Sequence, residues 1–202
     1  FVGRIARDKG IRELLAAFER LAMGGRDCHL LLVGPSDEEC GGESFLVSAA
    51  PHAAGRIHAV GYTDRPERYL GIADLLCLPS YREGFGTVVI EAAAMGVATV
   101  GSRINGLRDA VADGETGVLV PPRDADTLYE ALAGLLDAPE RIVRLGAAAR
   151  ERARRLFDAH QINRQVAEEY RRLLREAGWL EAENGSGGSA VVPRAGRTGQ
   201  EK

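Results

Sequence analysis

Short apolar runs alternate with longer segments whose apolar residues recur every three or four positions. Phe1-Val2-Gly3-Arg4-Ile5 has strand character, and after Ala6 to Gly10 the residues Ile11, Leu14, Leu15, Phe18 and Leu21 mark one face of a helix ending at Gly24-Gly25. His29 to Gly34 reads as a strand covered on both faces. Pro35 to Gly42 has no periodic pattern. A helix is then predicted over Phe45 to Ala54, a strand over Arg56 to Gly61, a short helix over Pro66 to Gly71 and a strand over Asp74 to Pro79. Thr87 to Met95 starts a helix of good helix formers, followed by a strand at Val97 to Gly101, a short helix at Gly106 to Ala112 and a strand at Gly117 to Val120. Three helices finish the pattern: Asp124 to Leu136, Pro139 to Phe157 and Ala159 to Ala177. Repeated strand-helix units joined by short loops predict an α/β fold, a Rossmann-like doubly wound parallel sheet of about six strands with C-terminal helices, ligands lying at the strands' carboxyl ends. Residues 1–178 are expected to form this domain. From Glu181 onward Gly, Ser, Pro and charge dominate, so 179–202 is expected to be a disordered tail.

Composition narrows the partners. The 202 residues carry a net charge of -3, which gives no general attraction for nucleic acid. Cys28, Cys40 and Cys77 form no C-x-x-C and imply neither a disulfide framework nor a zinc site; a reducing cytoplasm fits that usage. No apolar run approaches the length of a membrane span. Six arginines between Arg141 and Arg155 make one helix basic; a solvated face is the plain reading, docking to an anionic membrane the sharper one.

The chemistry concentrates in Pro79-Ser80-Tyr81-Arg82-Glu83-Gly84-Phe85-Gly86-Thr87-Val88, which turns from a buried strand into a helix. Gly84 and Gly86 permit close backbone approach, Thr87 is the expected N-cap, and the first free amides of the helix make an anion site. Glu83 and Glu91 frame it. Carboxylates repel phosphate but accept hydrogen bonds from hydroxyls, so the pair suits a ligand with phosphates in the middle and hydroxylated rings on both sides, as in a nucleotide sugar. Arg4 and Lys9 reach the same sheet edge, where they are expected to grip a diphosphate and stabilise it as a leaving group. Other chemistries lack their signatures. The intervening residues suit phosphates better than the sugar a glycosidase would hold between Glu83 and Glu91. His29, His52, His58 and His160 have no metal-ligand spacing, and neither G-x-G-x-x-G nor G-x-x-x-x-G-K-[ST] occurs.

Gly3-Arg4 with Asp8-Lys9-Gly10, Leu32-Val33-Gly34, Ala73-Asp74, Pro79-Ser80 with Glu83-Gly84-Phe85-Gly86, Glu91, and Thr116 to Val120 together resemble the donor-binding domain of the family 4 retaining glycosyltransferases of GT-B fold. The resemblance covers about residues 1–136. It implies that Arg4 and Lys9 contact the donor diphosphate, that Glu83 contacts the transferred sugar, that Phe85, Gly86, Thr87 and Val88 supply backbone contacts and that Glu91 takes the ribose hydroxyls. Gly61, Tyr62 and Thr63 would flank the base. The wording of Tyr81 to Gly86 and Gly106 to Gly117 is most similar to bacterial enzymes that build capsule, O-antigen or exopolysaccharide units on a lipid carrier. Such enzymes hold the acceptor in an N-terminal domain of similar size, none of which is in this sequence. The chain is therefore expected to bind a UDP-linked hexose or N-acetylhexosamine, to need no metal or other cofactor, and to transfer little alone. A GT-B nucleotide-sugar epimerase and a non-catalytic nucleotide-sugar-binding subunit are the alternatives.

Overall fold

In the computed structural model, residues 1–37, 40 and 43–180 are described; the expected tail from Glu181 and residues 38, 39, 41 and 42 lie outside them. Among the described residues the elements are α1 (Ile11–Met23), β1 (Leu30–Val33), α2 (Glu43–Ala49), β2 (Ile57–Gly61), α3 (Glu67–Leu70), β3 (Leu75–Leu78), α4 (Thr87–Ala94), β4 (Ala98–Ser102), α5 (Asn105–Arg108), β5 (Gly117–Val120), α6 (Ala125–Leu136), α7 (Pro139–Leu156) and α8 (Ala159–Glu176). Helix α2 ends at Ala49, sooner than the pattern predicts, two residues before Pro51, a residue type that disfavours helical geometry at the position before it.

All the pairings are parallel: β1 with β2, and β3 with β4 with β5. The predicted first strand differs. Phe1 to Ile5 forms only isolated bridges along β1, Val2 opposite Val33 and Ile5 opposite Ser36. The Val33 amide and carbonyl bond to Phe1 and Gly3, whereas the Gly34 amide donates to Gly61, so Phe1 to Ile5 and β2 lie on opposite edges of β1. Gly3, at φ 146°, interrupts the ladder where it passes Gly34; a Cβ on Gly34 would stand 2.0 Å from the Gly3 oxygen. The described strands therefore number five.

The predicted face of α1 is buried, with Ile11, Leu14, Leu15, Phe18 and Leu21 packed toward α6. Helices α4 and α7 pair where Gly146 sits against the Gly96 carbonyl, closer than any Cβ allows. All five residues of β4 are buried, as expected of a strand covered on both faces. The chain divides into two units, one over Phe1–Phe157 and one that starts at Asp158. The described part of the second is mainly α8, whose Asp158 carboxylate accepts from the Gln161 amide at 2.9 Å and so caps the first turn. No helix among the described residues is long and apolar enough to cross a membrane.

A carboxylate ties the start of β5 to the end of β4. Asp113 accepts from the Leu119 amide at 2.8 Å and pairs with Arg103 at 2.7 Å. Burial pushes this carboxyl up, but the amide and the guanidinium outweigh it and hold the carboxyl below its ordinary range. A carboxyl lowered on folding adds stability above its unfolded value of about 4 and loses it as pH falls through the folded value. Denaturant midpoints measured downward from pH 6 are thus expected to fall more steeply below about pH 4 in the native chain than in Asp113→Asn.

Candidate functional site

The first segment of the chain and the ends of β1 and β2 meet at one edge. Gly3, Gly34 and Gly61 lie side by side there, linked by the contact of Gly34 on the Gly3 carbonyl and the bond from the Gly34 amide to the Gly61 carbonyl at 2.8 Å. From Phe1 to Ile5 the chain passes into a single 3-10 turn, Arg7–Lys9, and Gly10 at φ 71° then opens α1. Gly10 also lets the turn approach the end of β3: a Cβ there would be 2.1 Å from the Pro79 carbonyl oxygen. The Tyr81 amide donates to the Asp8 carbonyl at 2.9 Å, which fixes the two loops against each other.

Between them lies a cleft of about 380 Å³, walled by Gly3, Arg4 and Lys9 on one side and by Glu83, Gly86, Thr87, Val88 and Glu91 on the other. The predicted cations, glycine turn and helix start therefore come together. The N-cap of α4 is Gly86, not Thr87: Gly86 adopts the left-handed conformation at φ 63°, where a β-branched residue is strained, and no side chain caps the helix. The Val89 amide turns back to the Gly86 carbonyl at 2.8 Å, while the amides of Thr87 and Val88 have no acceptor among the described residues. Glu91 is exposed one turn along α4.

The charged groups are already paired. Lys9 Nζ donates to Glu83 Oε1 at 2.7 Å, and the fully buried Ser80 hydroxyl donates to the same oxygen at 2.8 Å. Arg4 divides its guanidinium between Asp37 at 2.7 Å and Asp8 at 3.1 Å and stays half exposed. Ser80, Asp8 and Asp37 are the partners sequence reasoning missed as such; Ser80 beside Pro79 and Asp8 beside Lys9 were visible only as parts of a motif. Gly84 is exposed, and its carbonyl and that of Glu83 rest on Gly106, where a Cβ would stand 2.3 Å from the Glu83 oxygen. The Phe85 ring, 44% exposed, meets Phe157 edge-on at 5.6 Å, and the residue does not wall the cleft. Tyr62 and Thr63 follow Gly61 outside the cleft wall; Tyr62 is 77% exposed, and the Thr63 hydroxyl accepts from the Arg65 amide at 3.1 Å.

Chemically, the cleft offers unpaired amides at a helix N-terminus, two cations whose carboxylate partners can be exchanged for phosphate, and two carboxylates able to accept from hydroxyls.

The chain is 35% identical over 173 residues to the glycogen synthase of Mycobacterium tuberculosis (strain CDC 1551 / Oshkosh), a match covering 84% of this chain and 41% of the relative. Sucrose-phosphate synthase from Thermosynechococcus elongatus superposes with a TM-score of 0.76 at 37% identity, over 87% of this chain and 45% of that one. Anabaena HepE, solved in complex with UDP, shares the fold with a TM-score of 0.72 at 23% identity, over 84% of this chain and 47% of its own. The chain thus spans less than half the length of each. The family model described as glycosyl transferases group 1 matches residues 1–152, and the chain belongs to that family.

Proposed function

We propose that this chain is the donor-binding half of a retaining, metal-independent glycosyltransferase that takes a hexose or N-acetylhexosamine from a UDP-linked donor. The observation that carries the reading is the convergence of Arg4, Lys9 and the free Thr87 and Val88 amides on one cleft, with Glu91 a turn beyond. The diphosphate occupies the amide end, where it exchanges places with the carboxylates that hold the two cations. Glu83 Oε2 has no partner among the described residues and accepts from a sugar hydroxyl, while Ser80 keeps hold of the other oxygen when Lys9 moves to the diphosphate. Glu91 accepts from the ribose. Gly61, Tyr62 and Thr63, at the next strand end, flank the base. Charge developing on the departing diphosphate is met by the cations and amides.

A second half of similar size, beyond the length that this chain spans, supplies the acceptor: a hydroxyl of a glycan or lipid-linked glycan in bacterial surface polysaccharide synthesis, at the cytoplasmic face of the membrane. HepE, solved with UDP, supports the choice of nucleotide. Calorimetric titration with UDP, GDP and ADP in EDTA tests the reading. UDP is expected to bind with the chelator present; no heat with any of the three, or binding that EDTA abolishes, would overturn it.

A further inference from the structure

Tyr81 lies two residues before Glu83 and is held from three directions. Its hydroxyl donates to Glu13 Oε1 of α1 at 2.7 Å. Its amide donates to the Asp8 carbonyl in the turn that carries Lys9. The guanidinium of Arg123 stands over its ring, 4.6 Å from the centroid. Burial and the Glu13 bond push the phenol up to about 12, past the reach of physiological pH, so it remains a donor; Arg123 and Arg7 pull the other way without reversing this.

Arg123 is unusual in its backbone. At φ 61° it is the one non-glycine with positive φ among the described residues, set between Pro121-Pro122 and Asp124, the N-cap of α6. Asp124 accepts from the Thr127 amide at 2.9 Å, which fixes the start of the helix and leaves Arg123 to make the turn. A long side chain in this conformation is disfavoured relative to glycine, and strain of this kind is retained where the side chain has a task. Arg123 forms no ion pair with any described residue; the feature that it meets is the Tyr81 ring.

We propose that Arg123 and Tyr81 form a clamp that positions the Glu83 loop, pressing residues 81–83 onto α1 and the Lys9 turn so that Glu83 faces the cleft at fixed height. The loop is then held from both sides: Arg123 and Glu13 act on Tyr81, and Gly106 supports the carbonyls of Glu83 and Gly84. Neither clamp residue walls the donor cleft, so both are positioning residues. The part that concerns the sugar rests on the reading of Glu83 given above.

Two variants separate positioning from stability. Arg123→Ala removes the guanidinium but keeps a Cβ in the strained conformation; Arg123→Gly removes both. Both are expected to speed hydrogen exchange of the 82–86 amides by about tenfold, and to the same extent. Arg123→Gly is expected to melt about 2–4 °C above Arg123→Ala because the strain is gone. Loop exchange unchanged in both, or exchange that follows melting temperature so that Arg123→Gly behaves as the native chain, would overturn the clamp. Calorimetry with UDP and UDP-glucose adds the site: both variants are expected to lose the part of the affinity that distinguishes the two ligands. Glu83→Gln is the companion. If it leaves that difference intact, the role given to Glu83 fails, and the exchange data still decide the clamp without any ligand.

Discussion

Replacing Arg4 and Lys9 together by alanine is expected to weaken UDP binding by at least ~100-fold, about 3 kcal/mol, as read by titration calorimetry. A hydrogen bond to a charged group contributes about 1.5–3 kcal/mol, and the variant removes two such groups. Part of that is offset in the native chain, because both cations must first leave carboxylates: Asp8 and Asp37 for Arg4, Glu83 for Lys9. The same carboxylates increase the loss in the variant. Stripped of Lys9, Glu83 would stand unneutralised in the wall of the cleft and repel the diphosphate, and Asp37 would lose Arg4, while Asp8 would keep only Arg82 at 4.0 Å. An affinity within a few-fold of the native value would mean that the helix amides alone hold the nucleotide. Melting curves recorded beside the titration should show a folded chain, since Arg4 is half exposed and neither residue belongs to the apolar core.

The second large effect is on the fold itself. Gly10→Ala is expected to lower stability by about 2–5 kcal/mol, summing a Cβ at positive φ with overpacking against backbone. The added atom would lie 2.1 Å from the Pro79 carbonyl oxygen, and no rotamer change relieves a contact with main chain. The Lys9 turn and the end of β3 must separate, and the Tyr81 amide then loses the Asp8 carbonyl. A urea midpoint equal to that of the native chain would refute this. Gly25→Ala is a useful control: its φ is also positive, but nothing lies within 4 Å of the added Cβ, so only the conformational part remains.

Much of this architecture could be read from residue pattern because it depends on burial. The stripe of Ile11, Leu14, Leu15, Phe18 and Leu21 has one way to be buried, and the runs Leu30 to Val33 and Leu75 to Leu78 are too short and too apolar for anything but covered strands. The gathering of Arg4, Lys9 and the glycine turn followed from topology, since parallel strands deliver their loops to one edge. What pattern did not reveal depends on contacts made once the chain is folded. That Gly86 rather than Thr87 is the N-cap of α4 reflects the space under Leu107, whose methyl would lie 2.6 Å from a Cβ. The pairing of Lys9 with Glu83 joins residues 74 apart, and Arg123 reaches Tyr81 from the far end of the sheet sequence. Polar partners of this kind carry no periodicity. The interruption at Gly3 was hidden for the opposite reason: Phe1 to Ile5 has a strand's composition, and only its passage beside Gly34 breaks the ladder.

The seat of Glu83 and Gly84 on Gly106 limits how this protein can be redesigned. Because carbonyl oxygens rest directly on a residue without a side chain, the loop cannot be lowered, and raising it gives up the contact that sets its level. Attempts to broaden or switch the donor by editing Gly86 or Gly106 would therefore cost folded protein before they altered preference. Productive libraries belong at Tyr62, Thr63 and Glu91, whose side chains lie outside the apolar core and can be varied while the main chain beneath them stays put.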